Sequence, residues 1–119
     1  LQRSRVSPMM VAPARHWVNG TNTSAAYPTP MGLRLRLKAN LNIGNYSQAN
    51  RVILTAMQRY GIILADIGSN FYISGAPDPR WDNDDLKNLR TIRTSAFEVV
   101  KMGTIFDSAS AADRATCAP

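Results

Sequence analysis

Two residues in this chain have side chains suited to acid–base chemistry. His16 is the only histidine, and an imidazole exchanges its proton near neutral pH, so it can act as a general base. Asp66 ends a continuous apolar run, a usual place for a catalytic acid. We predict His16 and Asp66 as catalytic candidates, with the neighbouring Arg15 binding an anionic group. The alternative is that His16 ends an extended segment and Asp66 accepts backbone N–H bonds in a turn where Gly68 has the unusual φ.

A second candidate site lies in residues 72–81, a segment rich in Pro, Gly and Asp. Exposed aromatic rings can stack on the apolar face of a sugar, while Asp, Asn and Arg side chains hydrogen-bond its hydroxyls. We predict that this segment binds carbohydrate through Tyr72, Asp78, Arg80 and Trp81. The alternative is that the Trp covers the edge of a core beside a Pro-rich turn.

The only acidic cluster comprises Asp78, Asp82, Asp84 and Asp85. Its spacing lacks the Gly at the sixth position and the Glu at the twelfth position of an EF-hand calcium loop. The pattern favours a helix N-terminus, with Asp82 as the cap and the next carboxylates at the positive end of the helix. We therefore predict no metal. We also predict no cofactor, because the chain has no P-loop, dinucleotide fingerprint or nucleophile elbow.

Three Asn-x-Ser/Thr sequons begin at Asn19, Asn22 and Asn45, and none has Pro in the middle. They predict a secreted, extracellular glycoprotein. Cys117 is the only cysteine, so it cannot form a disulfide within this chain. In a secreted protein a lone cysteine suggests a disulfide to another chain; the alternative is a free thiol.

Composition limits the classes of partner. The 119 residues suit one domain of ordinary size, and 14 Lys and Arg against 8 Asp and Glu give a net charge of +6. Such an excess favours anionic partners. The chain has no long run of like charges and no RNA-binding motif, so we do not predict nucleic-acid binding.

No apolar run approaches the roughly 20 residues of a membrane span. Without an initiator Met or a signal-peptide pattern, the chain is expected to be a fragment or a processed product.

Two segments have clear periodicity. Residues 32–43 alternate apolar and polar side chains, which predicts a long strand with three cations on its exposed face. Residues 47–60 have helical spacing, with Ser47 as the N-cap and Gly61 at the C-terminal end. The predicted apolar face of this helix comprises Val52, Ile53, Ala56, Met57 and Tyr60.

The remaining pattern completes the predicted fold. Residues 1–18 are expected to be extended, residues 62–65 to form a central strand, and residues 71–73 and 96–102 to form further strands. A short helix is expected over residues 82–90. We predict an α+β fold with two short helices and a mixed or mostly antiparallel sheet. We expect one domain over residues 1–103, a loosely ordered tail over residues 104–119, and a sheet completed by another polypeptide chain or an N-terminal half of a parent protein.

Several sequence motifs carry a resemblance to a known family. They are the segments PARH (13–16), MGLRLRLKA (31–39), RYGIILAD (59–66) with GS (68–69), YISGAPDPRWDNDDL (72–86) and FEVV (97–100). Together they resemble the C-terminal part of a family of secreted, largely uncharacterised proteins of bacteria and microbial eukaryotes. Members of that family are longer, so the resemblance implies secretion and a further N-terminal half. It implies no activity. Ile67 departs from the family, in which Asn is usual at this position. The side chain of residue 67 is therefore not expected to form functional hydrogen bonds.

These observations predict a secreted domain that binds or acts on carbohydrate, with a polysaccharide as its ligand. The alternative is a structural subunit of an extracellular hetero-oligomer. In that case the basic strand and the apolar faces would pack against other chains, and Cys117 would form the cross-link.

Overall fold

The computed structural model describes residues 1–107. The strands are β1 (Met10–Val11), β2 (Arg34–Leu37), β3 (Ile62–Ile63), β4 (Phe97–Val99) and β5 (Ile105–Phe106), and the α-helices are α1 (Gln48–Arg59) and α2 (Asn83–Leu86). Strands β1 and β5 pair antiparallel, and a three-stranded sheet has the order β3–β2–β4 with β4 antiparallel to β2. The predicted α+β fold, with two short helices and mostly antiparallel strands, is confirmed.

Contacts divide the chain into two compact units. Among the described residues, the first comprises Leu1–Arg34, Ile63–Tyr72 and residues 100–107, and the second comprises Leu35–Ile62 and Ile73–Val99. Periodicity in the sequence did not indicate this division. Strand β5 lies within the segment that we predicted to be a tail. Residues 108–119, and with them Cys117, lie outside the described residues.

The first unit is built around three buried apolar residues, Val6, Met10 and Met31. Strand β1 brings Met10 to this cluster, and Phe106 from its partner β5 packs against the cluster as well. Gly32 follows Met31 with a φ of +84°, a conformation that disfavours any residue with a Cβ. Its N–H donates to the carbonyl of Leu64 at 2.8 Å.

The second unit has its own apolar cluster of Leu37, Leu54 and Met57. Strand β2 supplies the first of these residues and helix α1 the other two. The helix begins where Ser47 Oγ accepts a hydrogen bond from the N–H of Asn50, and Gly61, at φ +77°, donates its N–H to the carbonyl of Met57 just beyond the last turn. Both predicted helix boundaries are therefore confirmed.

The buried face of α1 differs from the prediction. Leu54, Met57 and Asn50 are buried, whereas Val52 is 62% exposed and Ala56 is also exposed. The apolar residues of this helix extend around more than one face, because Val52 and Leu54 are two positions apart and point in different directions. Packing against β2 and the segment around Leu89 decides which stripe is buried.

Strand β2 is also shorter than predicted. Alternation does hold within it, since Leu37 is fully buried and the two arginines at 34 and 36 are exposed. Beyond residue 38 the chain turns, and Asn42 Oδ1 accepts a hydrogen bond from the N–H of Gly44 at 2.9 Å. An Asn side chain that binds backbone two residues on favours a turn over a strand. Leu41 and Ile43 therefore reach the core from a loop.

Two other strand predictions were wrong. Strand β3 contains only Ile62–Ile63 and lies at an edge, while β2 is the central strand. Residues 71–73 form no strand. Turn-forming residues bracket that apolar triplet on both sides, with Ser69 and Asn70 before it and Gly75 and Pro77 after it. Within residues 1–107, neither helix has the length and hydrophobicity to cross a membrane.

Candidate functional site

His16, Arg15 and Asp66 all belong to the first unit and are exposed. Among residues 1–107, no hydrogen bond or ion pair joins the imidazole to the carboxylate. Two surface depressions in the described part of the chain are not lined by these residues. The structure therefore shows no direct bond between this pair within the described residues, and their catalytic roles stay a prediction.

Asp66 is engaged in local turn chemistry. Its Oδ1 accepts a hydrogen bond from the N–H of Ile67 at 2.7 Å, and the N–H of Gly68 donates to the carbonyl of Leu1 at 2.7 Å. A carboxylate that binds the adjacent backbone is the alternative that the sequence offered. Gly68, however, does not have the positive φ that we expected; among residues 1–107, only Gly32 and Gly61 do.

The two aromatic residues of the predicted sugar platform are both exposed. Tyr72 is 75% exposed and lies in the first unit, whereas Trp81 is 39% exposed and lies in the second. Part of the Trp81 ring is therefore accessible to a ligand.

Asp78 and Arg80 form a bidentate ion pair in the turn before Trp81. Arg80 Nε donates to Asp78 Oδ1 and an Arg80 terminal nitrogen donates to Oδ2, both at 2.8 Å. The same Oδ1 accepts the backbone N–H of Arg80 at 2.9 Å. These bonds to the guanidinium and then to the backbone lower the pKa of Asp78 below its ordinary range and raise that of Arg80. The Asp78 carboxylate and the Arg80 guanidinium thus bind each other rather than lying open to a ligand.

The remaining acids of the cluster stabilise helix ends, as predicted. Asp82 is the N-cap of α2 and accepts the N–H groups of Asp84 and Asp85. Asp84 forms an ion pair with Lys87. Asp85 reaches the N-terminus of α1, where its Oδ2 accepts the hydroxyl of Ser47. No group of three metal-binding side chains converges within residues 1–107.

An open groove with a volume of about 450 Å³ lies in the second unit. Its walls come from the loop before α1 and from the 3₁₀ turn Lys87–Thr91 that follows α2. The six lining residues have polar side chains, with amides, hydroxyls and one aromatic ring, and are Asn42, Asn45, Tyr46, Ser47, Asn88 and Thr91. None of the six side chains carries a formal charge, so the groove suits a neutral, hydroxyl-rich ligand.

Hydrogen bonds fix the two walls of this groove. Thr91 Oγ1 donates to the carbonyl of Asn88 at 2.8 Å, so the Tyr46 hydroxyl, 2.7 Å away, donates to Thr91. Ser47 Oγ donates to Asp85 and accepts from the helix backbone. The hydroxyls are therefore used within the protein, which holds the phenol ring in place.

The amides of the groove keep capacity for a ligand. Asn45 is exposed and its side chain makes no hydrogen bond within residues 1–107. The side-chain oxygen of Asn42 accepts a hydrogen bond in the turn, so its NH₂ group can donate to a ligand. The NH₂ group of Asn88 donates weakly to Asp85 at 3.4 Å, so its side-chain oxygen can accept from a ligand. This mixture of donors and acceptors matches sugar hydroxyls, each of which both donates and accepts.

Sequence reasoning missed this groove. The cluster of polar residues in residues 42–47 was a usable signal, because two Asn, a Tyr and a Ser within a Gly-containing loop are unusual for a core segment. The other wall was not predictable. Asn88 and Thr91 are more than 40 residues away in sequence, and only the packing of α1 against the 3₁₀ turn brings them to the same place.

The three sequons differ in the state of the nitrogen that would carry a glycan. Asn22 Nδ2 donates to the carbonyl of Tyr27 at 3.1 Å and to Thr29 Oγ1 at 3.4 Å, and its Oδ1 accepts the N–H of Ser24 at 3.0 Å. The side chains of Asn19 and Asn45 are exposed and make no such bonds within residues 1–107. Asn22 is thus built into the loop, whereas the other two sequons are accessible.

We expect glycans at Asn19 and Asn45, and little or none at Asn22, when the chain is secreted from a glycosylating eukaryotic host. A glycan on Asn22 would displace the loop contacts of its amide nitrogen. Glycopeptide mass spectrometry measures the occupancy of each site, and the variant Asn22→Gln shows whether loss of that sequon changes the intact mass. Full occupancy of Asn22 in folded protein would contradict this expectation.

Comparison with known proteins gives no further assignment. No family model, no curated protein and no solved structure matches the chain.

Proposed function

We propose that this chain is a secreted, extracellular domain that binds carbohydrate, and that the groove between the 42–47 loop and the 3₁₀ turn is its binding site. The proposal depends on the residues that line the groove. Three amides and an aromatic ring surround a volume of about 450 Å³, and none of the lining side chains carries a formal charge. That volume accommodates a short segment of a sugar chain. The exposed Trp81 offers a second stacking surface in the same unit.

The chemistry of the groove favours a sugar over an apolar ligand or a free anion. Ligand pockets for drug-like molecules are lined mostly by apolar and aromatic groups, whereas here every lining residue is polar. The N-terminus of α1 would attract an anion, but Asp85 already places a carboxylate there through its bond to Ser47. The ligand that remains is polar and rich in hydroxyls, which is the chemistry of a polysaccharide.

Binding to neutral oligosaccharides tests this proposal. The protein is produced in bacteria without N-glycans, so that the added oligosaccharide is the only sugar present. Hexamers of glucose, N-acetylglucosamine and mannose are titrated while backbone amide shifts are followed by NMR. We expect shifts to concentrate at residues 42–47 and 88–91. The absence of shifts with every hexamer at millimolar concentration would overturn the proposal.

A pair of asparagine variants locates the binding site. Asn45→Ala removes an amide that lines the groove and makes no internal hydrogen bond within the described chain. Asn40→Ala is the matched control, since Asn40 is exposed in the same loop but does not line the groove. We expect Asn45→Ala to weaken binding about fivefold, the value of one hydrogen bond, and Asn40→Ala to leave the affinity unchanged. Equal effects of the two variants would contradict the assignment.

A structural role in an extracellular assembly is the second candidate. It is favoured by apolar side chains that are exposed on the second unit, notably Val52 on α1 and Val99 on β4. Such a subunit would bury these side chains against another polypeptide chain or an N-terminal half of the parent protein. Binding of oligosaccharide by the isolated chain would favour the first candidate over this one.

A further inference from the structure

Helix α1 has an apolar surface that its own unit does not cover. Val52, Ala56 and Tyr60 follow one another at intervals of four residues, so their side chains are neighbours along one face of the helix. All three are exposed, Val52 to 62% and Tyr60 to 63%. Leu54 and Met57 point the other way, into the apolar cluster of the unit. We call Val52, Ala56 and Tyr60 the outer ridge of α1.

The outer ridge has the pattern of a helix face that packs against another element. Single apolar residues on a protein surface are ordinary, whereas a contiguous row of them marks an interaction surface. A helix that has apolar residues around both faces is typically buried on both. Three of the five residues in the apolar face predicted from the sequence belong to this ridge. The core of the second unit covers the other face of α1 and leaves this one open.

The surroundings of the outer ridge are basic. Arg51 and Arg59 each lie next to a residue of the ridge in sequence, and both are exposed. Neither side chain takes part in an ion pair within residues 1–107. The sequence of α1 contains no carboxylate. The outer ridge is therefore flanked by positive charge that α1 itself does not neutralise.

The acid that contacts α1 lies away from the ridge. Asp85 binds the helix through Ser47, its N-cap, and through Asn50 in its first turn. Asn50 is fully buried, so this carboxylate meets the helix on its buried side. Val52 is two positions after Asn50, and successive positions on a helix point in different directions.

We infer that the outer ridge docks an amphipathic helix of another polypeptide chain, one that has acidic residues beside its apolar stripe. The apolar stripe packs along Val52, Ala56 and Tyr60, and the short side chain of Ala56 lets the two helices approach at the centre of the contact. The carboxylates of the partner pair with Arg51 and Arg59. The net charge of +6 favours an acidic partner as well. The ridge does not line the groove, so this inference does not depend on carbohydrate binding.

Two other occupants fit the outer ridge less well. A second copy of this chain would bring the arginines of both helices to one interface, where α1 has no carboxylate to pair with them. A helix that lies on a membrane surface typically presents Trp, Phe or Leu and a polar face rich in Lys and Arg. The outer ridge has none of those three apolar residues, and α1 has two arginines and no lysine.

Two designed peptides test the docking surface. Each has about 21 residues with Leu and Ala at the a and d positions of a heptad repeat, and the flanking e and g positions are Glu in one peptide and Lys in the other. Repulsion between like charges disfavours pairing of either peptide with itself. The isotope-labelled full chain is titrated with each peptide while backbone amide shifts are followed by NMR. We expect the Glu peptide to shift the amides of residues 51–60 and the Lys peptide to leave them unchanged.

Three variants at exposed positions locate the contact, and circular dichroism shows whether each one folds. Ala56→Arg keeps the helix propensity high and places a long charged side chain in the middle of the ridge. We expect it to weaken binding of the Glu peptide about tenfold. Arg59→Glu should reverse the preference, so that the Lys peptide binds and the Glu peptide binds about tenfold more weakly. Arg90→Glu is the control with the same change in charge, because Arg90 is exposed on the 3₁₀ turn that packs against the buried side of α1. The preference for the Glu peptide should persist in it.

Several outcomes would overturn the inference. They are equal binding of the two peptides, binding of neither at millimolar concentration, and an equal loss in Arg59→Glu and Arg90→Glu. A dimer of the chain alone that Ala56→Arg dissociates in analytical ultracentrifugation would show that a second copy occupies the ridge. Vesicles of phosphatidylcholine and phosphatidylserine at about 3:1 are the last probe. If they shift residues 51–60 and the Glu peptide does not, the ridge binds a membrane surface instead. Each of these outcomes leaves the test of the groove with oligosaccharides unaffected.

Discussion

Replacing Gly32 with Ala is expected to destabilise the first unit by about 3 kcal/mol. Two physical causes act together. A φ of +84° disfavours any residue with a Cβ, and a Cβ built on Gly32 would lie 2.0 Å from the carbonyl oxygen of Val11 and 3.0 Å from the backbone nitrogen of Ala14. Both obstacles are backbone atoms, so no side-chain rotation relieves them. Relief requires a shift of β1, which carries Met10 of the apolar cluster.

Urea unfolding followed by tryptophan fluorescence measures this loss. Trp17 packs against the first apolar cluster, so a Trp81→Phe background leaves a single reporter in the affected unit. Gly68→Ala is the control: its φ is not positive, and nothing lies within 4 Å of the added Cβ. We expect that control to change the free energy of unfolding by no more than about 0.5 kcal/mol. A Gly32→Ala protein as stable as the control would show that β1 does not approach residue 32 this closely.

Local features of the fold were predictable because neighbouring residues determine them. Ser47, Gly61 and Asp82 have side chains or conformations that suit helix ends, and each has its predicted role. Their partners lie within four residues along the chain. The fold class followed from the same local signals, since the periods of the two long segments indicate one helix and one strand.

Features that depend on distant contacts were not predictable. The predicted strand over residues 32–43 ends at Leu37 because a turn forms at Asn42. The alternation of apolar and polar residues would be the same whether the strand continued or turned, so it could not predict this end. The pairing of β1 with β5 joins segments almost 100 residues apart. No periodicity in either two-residue strand indicates that partnership. The division into two units also depends on contacts between residues that are distant in the sequence.

The candidate site shows the same limit. Asp66, Asp78 and Arg80 were selected by residue type, and in the structure they bind their own neighbours. A short polar side chain in a turn has backbone and side-chain partners within two residues, so its local contacts require no long-range structure. The groove instead depends on Tyr46 meeting Thr91. Its sequence signal was the density of amides in one loop, and its second wall required the fold.

Replacing Leu54 with Ala is expected to destabilise the second unit by about 3 kcal/mol. Leu54 is fully buried and packs with Leu37 and Met57, so truncation removes buried apolar contacts and leaves a cavity. Val52→Ala is the matched control on the same helix. Val52 is 62% exposed, and Ala has the higher helix propensity, so we expect its change in unfolding free energy to stay within about 0.5 kcal/mol.

Urea unfolding monitored by circular dichroism at the helical band reports on α1 in both proteins. The comparison also decides which face of α1 is the core face. The sequence pattern placed Val52 in the apolar stripe, and a core built on that stripe would lose more stability from Val52→Ala than from Leu54→Ala. The packing of Leu54 against β2 predicts the reverse order. Because both substitutions shorten an aliphatic side chain on one helix, a difference of about 2 kcal/mol or more between them measures burial rather than helix propensity.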